Sequence, residues 1–89
     1  MTLTFEQSFL DSLSEIRDRK VKGRIQTAIE NAEQAKLLQD IPNLKKLKGH
    51  KTYYRIRVGS YRLGLELVDG GTLNFIIAAD RKDIYKHFP

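Results

Sequence analysis

Two β-rich runs, Tyr53 to Val58 and Tyr61 to Val68, are separated by Gly59-Ser60 alone. Glycine at the first of two central positions is the type II′ hairpin signature, and its twist suits antiparallel strands. A two-residue turn leaves the register no freedom. Val58 must face Tyr61, Arg57 Arg62, Ile56 Leu63 and Arg55 Gly64. A further run, Leu73 to Ala79, follows Asp69-Gly70-Gly71. A three-residue loop there sets Leu67 against Leu73, Leu65 against Phe75 and Leu63 against Ile77, whereas a two-residue loop would set leucines against Asn74. One sheet face, from Tyr54, Ile56 and Val58 through Leu63, Leu65, Phe75 and Ile77, is apolar enough to receive helices. The other carries Tyr53, Arg55, Arg57, Arg62, Gly64, Glu66, Asn74, Ile76 and Ala78.

The helices come from the first half of the chain. Thr2 to Phe5 alternates apolar and β-branched polar residues as a short strand does. From Gln7, Phe9, Leu10, Leu13 and Ile16 recur at helical spacing, and Val21, Ile25, Ala28, Ile29 and Ala32 repeat it after a basic break at Arg19-Lys20. The second helix is predicted from about Val21 to Leu37, because Pro42 biases Ile41 away from helical angles. Leu38 to Leu47 is read as a connector with anchoring leucines. The predicted fold is α+β, a single domain over residues 1–89. Two N-terminal helices pack on one face of an antiparallel sheet in the order β-α-α-β-β-β, with a short C-terminal helical tail.

Charge divides unevenly along this frame. Met1 to Pro42 is net −1, Asn43 to Leu65 carries seven cations and no acid, and Glu66 to Pro89 is net −1. The whole excess of a +5 chain thus lies on the hairpin and its approach, which points to an anionic partner. No cysteine is present, so thiolate metal sites and cysteine nucleophiles are excluded, and two histidines 37 positions apart have no metal-ligand spacing. No cofactor or metal is expected. No window nears the ~18 to 20 apolar residues of a membrane span, and Met1 to Leu10 holds acidic and polar residues where a signal peptide would be basic and apolar. The expected location is cytoplasmic, with no membrane partner.

Like charges directly opposite on paired strands destabilise a sheet, yet the turn sets Arg57 against Arg62 with Arg55 two residues along. Arginines splayed over Tyr53 or paired with Glu66 would be an ordinary solvated face. The functional reading is an anion site, since the guanidinium fork matches phosphate oxygens. Lys45, Lys46, Lys48 and Lys51 precede the hairpin and would follow a phosphate backbone without reading its sequence. After the last strand, Asp80 is assigned to the arginine face beside Arg62. Ile84 and Phe88 share one side of a helical turn, leaving Arg81 and Tyr85 together on another.

Three segments, Leu44-Lys45-Lys46-Leu47-Lys48-Gly49, Tyr53-Tyr54-Arg55-Ile56-Arg57-Val58-Gly59-Ser60-Tyr61-Arg62-Leu63 and Asp80-Arg81-Lys82-Asp83-Ile84-Tyr85, closely resemble the RelE/ParE superfamily of toxins. The resemblance covers essentially the whole chain and is closer to the RelE branch. It implies a toxin of a type II toxin–antitoxin system: a ribosome-dependent endoribonuclease that cuts messenger RNA in the A site by metal-independent 2′-hydroxyl attack. It also implies a cognate antitoxin, with the ribosome and mRNA as further partners. By position, the catalytic set is Arg55, Arg57, Arg62, Arg81 and Tyr85, and the RNA- and ribosome-binding set is Lys45, Lys46, Lys48, Lys51 and Tyr53. Some relatives carry lysine at the positions of Arg55 and Arg57, and many carry histidine at that of Asp80. The general base therefore stays open among Tyr85, His87, His50 or none. Two other readings remain: a ParE-like toxin that inhibits DNA gyrase by binding, and a basic RNA-binding domain without activity.

Overall fold

A computed structural model describes residues 1–89. The chain runs β1 (Thr2–Phe5), α1 (Gln7–Glu15), α2 (Arg19–Gln34), a 3-10 turn (Leu38–Asp40), β2 (Leu44–Lys46), β3 (Tyr53–Val58), β4 (Tyr61–Val68), β5 (Thr72–Asp80) and α3 (Ile84–His87). The expected α+β architecture is present. No helix is long and apolar enough to cross a membrane.

The break between the helices falls at Ile16 to Asp18, earlier than the basic pair. Asp18 is extended, and its carboxylate accepts the backbone N–H of Lys20 at 2.9 Å and of Val21 at 3.3 Å. That cap satisfies two of the helix's orphan donors and draws Arg19 and Lys20 into its first turn. The other end stops at Gln34, short of Leu37. Ala32 is the last fully buried position of the helical stripe, and Leu37 is 56% exposed.

The sheet order is β1-β5-β4-β3-β2. Gly59 takes φ 60°, and the pairs Val58–Tyr61, Arg57–Arg62, Ile56–Leu63 and Arg55–Gly64 form as the turn requires. Three features depart from expectation. β1 lies parallel to β5, so the sheet is mixed rather than wholly antiparallel. The supposed connector contributes β2, whose three residues pair with Tyr54 to Ile56 on the outer edge of β3. A strand that short carries no readable period.

The third departure is a bulge. Leu67 faces Leu73 and Leu65 faces Phe75 across the three-residue loop, but Gly64 then faces Ile77, so Ile76 is an extra residue. Leu63 consequently faces Ala78, not Ile77, and every later residue of β5 changes face. Ala78 is buried in the main core, Ala79 stands opposite Arg62, and Asp80 stands opposite Tyr61. Asp80 therefore does not emerge on the arginine face. A sequence reading cannot see this shift because alternating and bulged registers both leave apolar residues inside.

α1 accommodates the bulge. Beyond the Phe5–Phe75 pair, β5 has lost β1 as its neighbour, and Ser8 and Ser12 stand on that side one helical turn apart. The Ser8 hydroxyl donates to the Ile76 carbonyl, and Ser12 Oγ accepts the Ala78 N–H at 2.9 Å while donating to the Phe9 carbonyl. Buried backbone groups need such partners. Below them Phe9, Ile25, Ile56, Leu63, Leu65, Leu73 and Phe75 are all essentially inaccessible.

Candidate active site

The Arg57–Arg62 pair sits at the mouth of the hairpin. Arg57 donates its backbone N–H outward to the Asn43 carbonyl at 3.2 Å, so this is a non-hydrogen-bonded pair. In such pairs the Cα atoms are about 4.5 Å apart and the side chains are closest. Asn43, held at φ 65°, also accepts from Arg55 Nη1 at 3.1 Å through its carbonyl and from Arg57 Nη2 at 3.4 Å through its side chain. Arg62 Nη1 folds back over its own turn, donating to the carbonyls of Gly59 and Tyr61 at 2.9 and 3.0 Å.

No carboxylate neutralises these groups. The one ion pair in the chain joins Lys86 to Asp83, and Glu66 accepts from Thr52 instead. The Arg62 guanidinium is pushed below its ordinary pKa, first by partial burial, then by repulsion from Arg55, Arg57 and Arg81, with Tyr85 acting in the opposite sense. The other four residues singled out from the sequence thus all act on Arg62, and the Arg81 backbone N–H donates to the Ser60 carbonyl of the hairpin turn at 2.8 Å. The folded arginine face favours an incoming anion.

The tail reaches this face through a second, small core. Phe88 and Ile84 are 2% and 0% exposed, clustered with Leu47 and flanked by Tyr53, Ile76, Ile77 and Ala79. Ile77 and Ala79 reach this cluster because of the bulge, whereas Ile76 was already on this face. Phe88 lies on Gly64, where a β-carbon would fall 2.8 Å from its ring. Tyr53 meets Phe88 and His50 edge-on, with centroids 5.5 and 5.7 Å apart. With Ile84 and Phe88 facing inward, Tyr85 points outward and is 60% exposed.

A groove of about 910 Å³ runs from this point along the basic approach, and Lys45, Lys46, Lys48, His50, Arg55 and Tyr85 line it. Lys51 is exposed but does not line it. His87 lines a different groove, between α1 and the end of β5, with Asp80 and Tyr61. His50 is therefore the histidine beside Tyr85. Sequence reasoning missed Asn43 and the seat that Gly64 gives Phe88, and it had Leu47 only as an anchoring leucine of the connector. The residue after Pro42, the leucine spaced among lysines and a lone glycine inside a strand were the available signals.

No cluster of three or more histidine, cysteine or acidic side chains that could hold a metal ion is formed. No family model matches the sequence. The chain is 39% identical, over the full length of both proteins, to Toxin RelE3 of Methanocaldococcus jannaschii. In solved structures it is similar to the RelB-RelE antitoxin-toxin complex from Methanococcus jannaschii, with a TM-score of 0.77 and 38% identity over 97% of this chain and 99% of that one. The intact E. coli RelBE toxin-antitoxin complex has the same fold, with a TM-score of 0.64 and 22% identity over 89% and 94% of the two chains. With full-length identity well above the range in which only a fold is shared, and with the hairpin and tail already assembled as one cationic face, this chain belongs to the RelE family of toxins.

Proposed function

We propose that this protein is a ribosome-dependent endoribonuclease that cuts messenger RNA in the A site, and that a cognate antitoxin neutralises it. The observation that carries the reading is that Arg55, Arg57 and Arg62 share one sheet face, Arg81 is bonded through its backbone to the hairpin turn, Tyr85 lines one groove with Arg55, and none of these arginines has a carboxylate partner. Strands that needed only stability would not set Arg57 against Arg62 at their closest approach.

The reaction this constellation suits needs no resident cofactor. The ribose 2′-oxygen attacks the adjacent phosphorus, a new P–O2′ bond forms, and the P–O5′ bond breaks. The products are a 2′,3′-cyclic phosphate and a 5′-hydroxyl. A proton must leave the 2′-oxygen and another must reach the departing 5′-oxygen. Charge builds on the non-bridging oxygens between those events, where Arg57, Arg62 and Arg81 serve as fixed donors. Arginine does not give up its proton, so it cannot be the base. Tyr85 can exchange one, and we assign it the proton transfer, with His50 in the same groove as the nearest substitute. Lys45, Lys46, Lys48 and Lys51 hold the RNA backbone, and Tyr53 supports the tail beside them.

The deciding experiment maps cleavage of a defined message on programmed ribosomes for wild type, Arg62→Ala and Tyr85→Phe. Cuts in the A-site codon that fall by about 10² or more in Arg62→Ala support the reading, since losing one preorganised charge donor costs about that much. Full activity in both variants would remove the site assignment. A wild type that makes no cuts and instead inhibits gyrase would remove the nuclease.

A further inference from the structure

A second cationic groove, of about 490 Å³, lies around the β3 edge from the arginine face, between α2 and the outer end of β3. Lys20, Gly23, Arg24, Thr27 and Asn31 form one stripe of α2 along it, at the i, i+3, i+4 spacing of a single helical face. Arg57 closes the opposite wall. From Lys20 to Asn31 the stripe is about 16 Å long at 1.5 Å per residue.

Three features of this stripe oppose helix stability. Lys20 stands in the first turn of α2, where the helix dipole disfavours a cation. Lys20 and Arg24 repel each other one turn apart, and no acidic residue lines the groove. Gly23 lies inside the helix, where glycine is less favourable than alanine, yet a β-carbon there would meet nothing within 4 Å. Packing within the protein does not demand that glycine. Arg24 meanwhile reaches over the hairpin turn, with Nη1 2.8 Å from where a β-carbon on Gly59 would sit. The cations are uncompensated and flanked by a gap in the side-chain surface.

We propose that this groove binds the phosphodiester backbone of RNA as a second contact, separate from the cleavage face, with Lys20 and Arg24 on phosphates and Gly23 allowing close approach. The inference rests on the RNA-directed function proposed above. A polyanion is favoured over an acidic helix because three cations and no acid line the groove, and the apolar residues Ala28, Pro42, Ile56 and Val58 come from three separate segments and form no continuous stripe on one element. Arg57 also belongs to both surfaces, so one strand can run from the hairpin face into the groove.

The test uses the full chain and a fluorescent 2′-O-methyl oligouridine 12-mer, which lacks the attacking hydroxyl and cannot be cut. Binding is titrated from 50 to 200 mM salt. Lys20→Ala/Arg24→Ala should lower the slope of log K against log salt by about 1.4, since each single-strand phosphate contact contributes about 0.7. Gly23→Gln should raise the melting temperature while weakening binding several-fold at unchanged slope. A steep wild-type slope that the double variant keeps overturns this second site and leaves the proposed function standing. No salt-dependent binding by wild type overturns this second site, while the proposed function stands or falls separately on the mapping of A-site cuts. A double variant that keeps its RNA slope but fails to assemble with the co-expressed cognate antitoxin makes the groove a peptide site and overturns the assignment.

Discussion

Gly64→Ala tests whether the tail is held by the sheet surface beneath it. Gly64 is buried and lies outside the left-handed backbone region, so alanine meets no strain of its own. What it meets is Phe88, with Cδ2 and Cγ at 2.8 Å and Cδ1 at 3.0 Å from the added carbon. Carbon atoms settle at about 3.5 to 4.0 Å, so the ring must retreat by roughly 0.7 Å or leave. Leu47, Ile84 and Tyr53 close the other sides of the ring, and overpacking a filled site costs about 1 to 3 kcal/mol. At about 2 kcal/mol, a domain of this size melts about 8 to 16 °C lower. In a Phe88→Ala background the collision is gone, and Gly64→Ala should be neutral or slightly stabilising. Denaturant melts of the four proteins form a double-mutant cycle with an expected coupling of about 2 kcal/mol. A-site cleavage should fall in both single variants, because Tyr85 rides on the displaced turn. The same cost for Gly64→Ala with and without Phe88 would refute the reasoning.

Ser12→Ala leaves the Ala78 N–H without its acceptor at the β5 edge and should cost about 1 to 3 kcal/mol in denaturant melts. Asp18→Ala removes the α2 cap and should cost about 1 kcal/mol, with helix content falling in parallel by circular dichroism. Arg62→Ala should melt at the wild-type temperature or above it, because relieving an opposed like-charge pair is worth about 0.2 to 1 kcal/mol. That difference should be flat from pH 6 to 9. The fold lowers the Arg62 pKa, so the folded chain binds fewer protons than the unfolded one only in the strongly alkaline window between the two values, and stability from this group rises with pH only there.

The hairpin was legible because Gly59-Ser60 fixes it by chain geometry alone, and Arg55, Arg57 and Arg62 share a face as a consequence. The tail was legible in part, since the four-residue spacing of Ile84 and Phe88 separates them from Arg81 and Tyr85. What those side chains pack against was not. Leu47 read as an anchoring leucine of a connector, but what it anchors emerges only when β2 pairs with β3 and brings it under Phe88. The parallel pairing of β1 with β5 joins segments about 70 residues apart, and no local pattern encodes it.

The bulge at Ile76 links these levels. An unbroken ladder would point Asp80 at the arginine face and lay a carboxylate beside Arg62, which would neutralise part of the field that an anion is to meet. The extra residue turns Asp80 toward Tyr61 and α1, sets the small Ala79 opposite Arg62, and brings Ile77 beside Ile76 in the cluster that seats the tail. One irregularity therefore removes a competing anion and helps build the platform that carries Tyr85. Its local polar cost is met by Ser8 and Ser12, two residues of α1 that form no part of the site itself. The electrostatics of the arginine face are in this way set from the opposite side of the sheet.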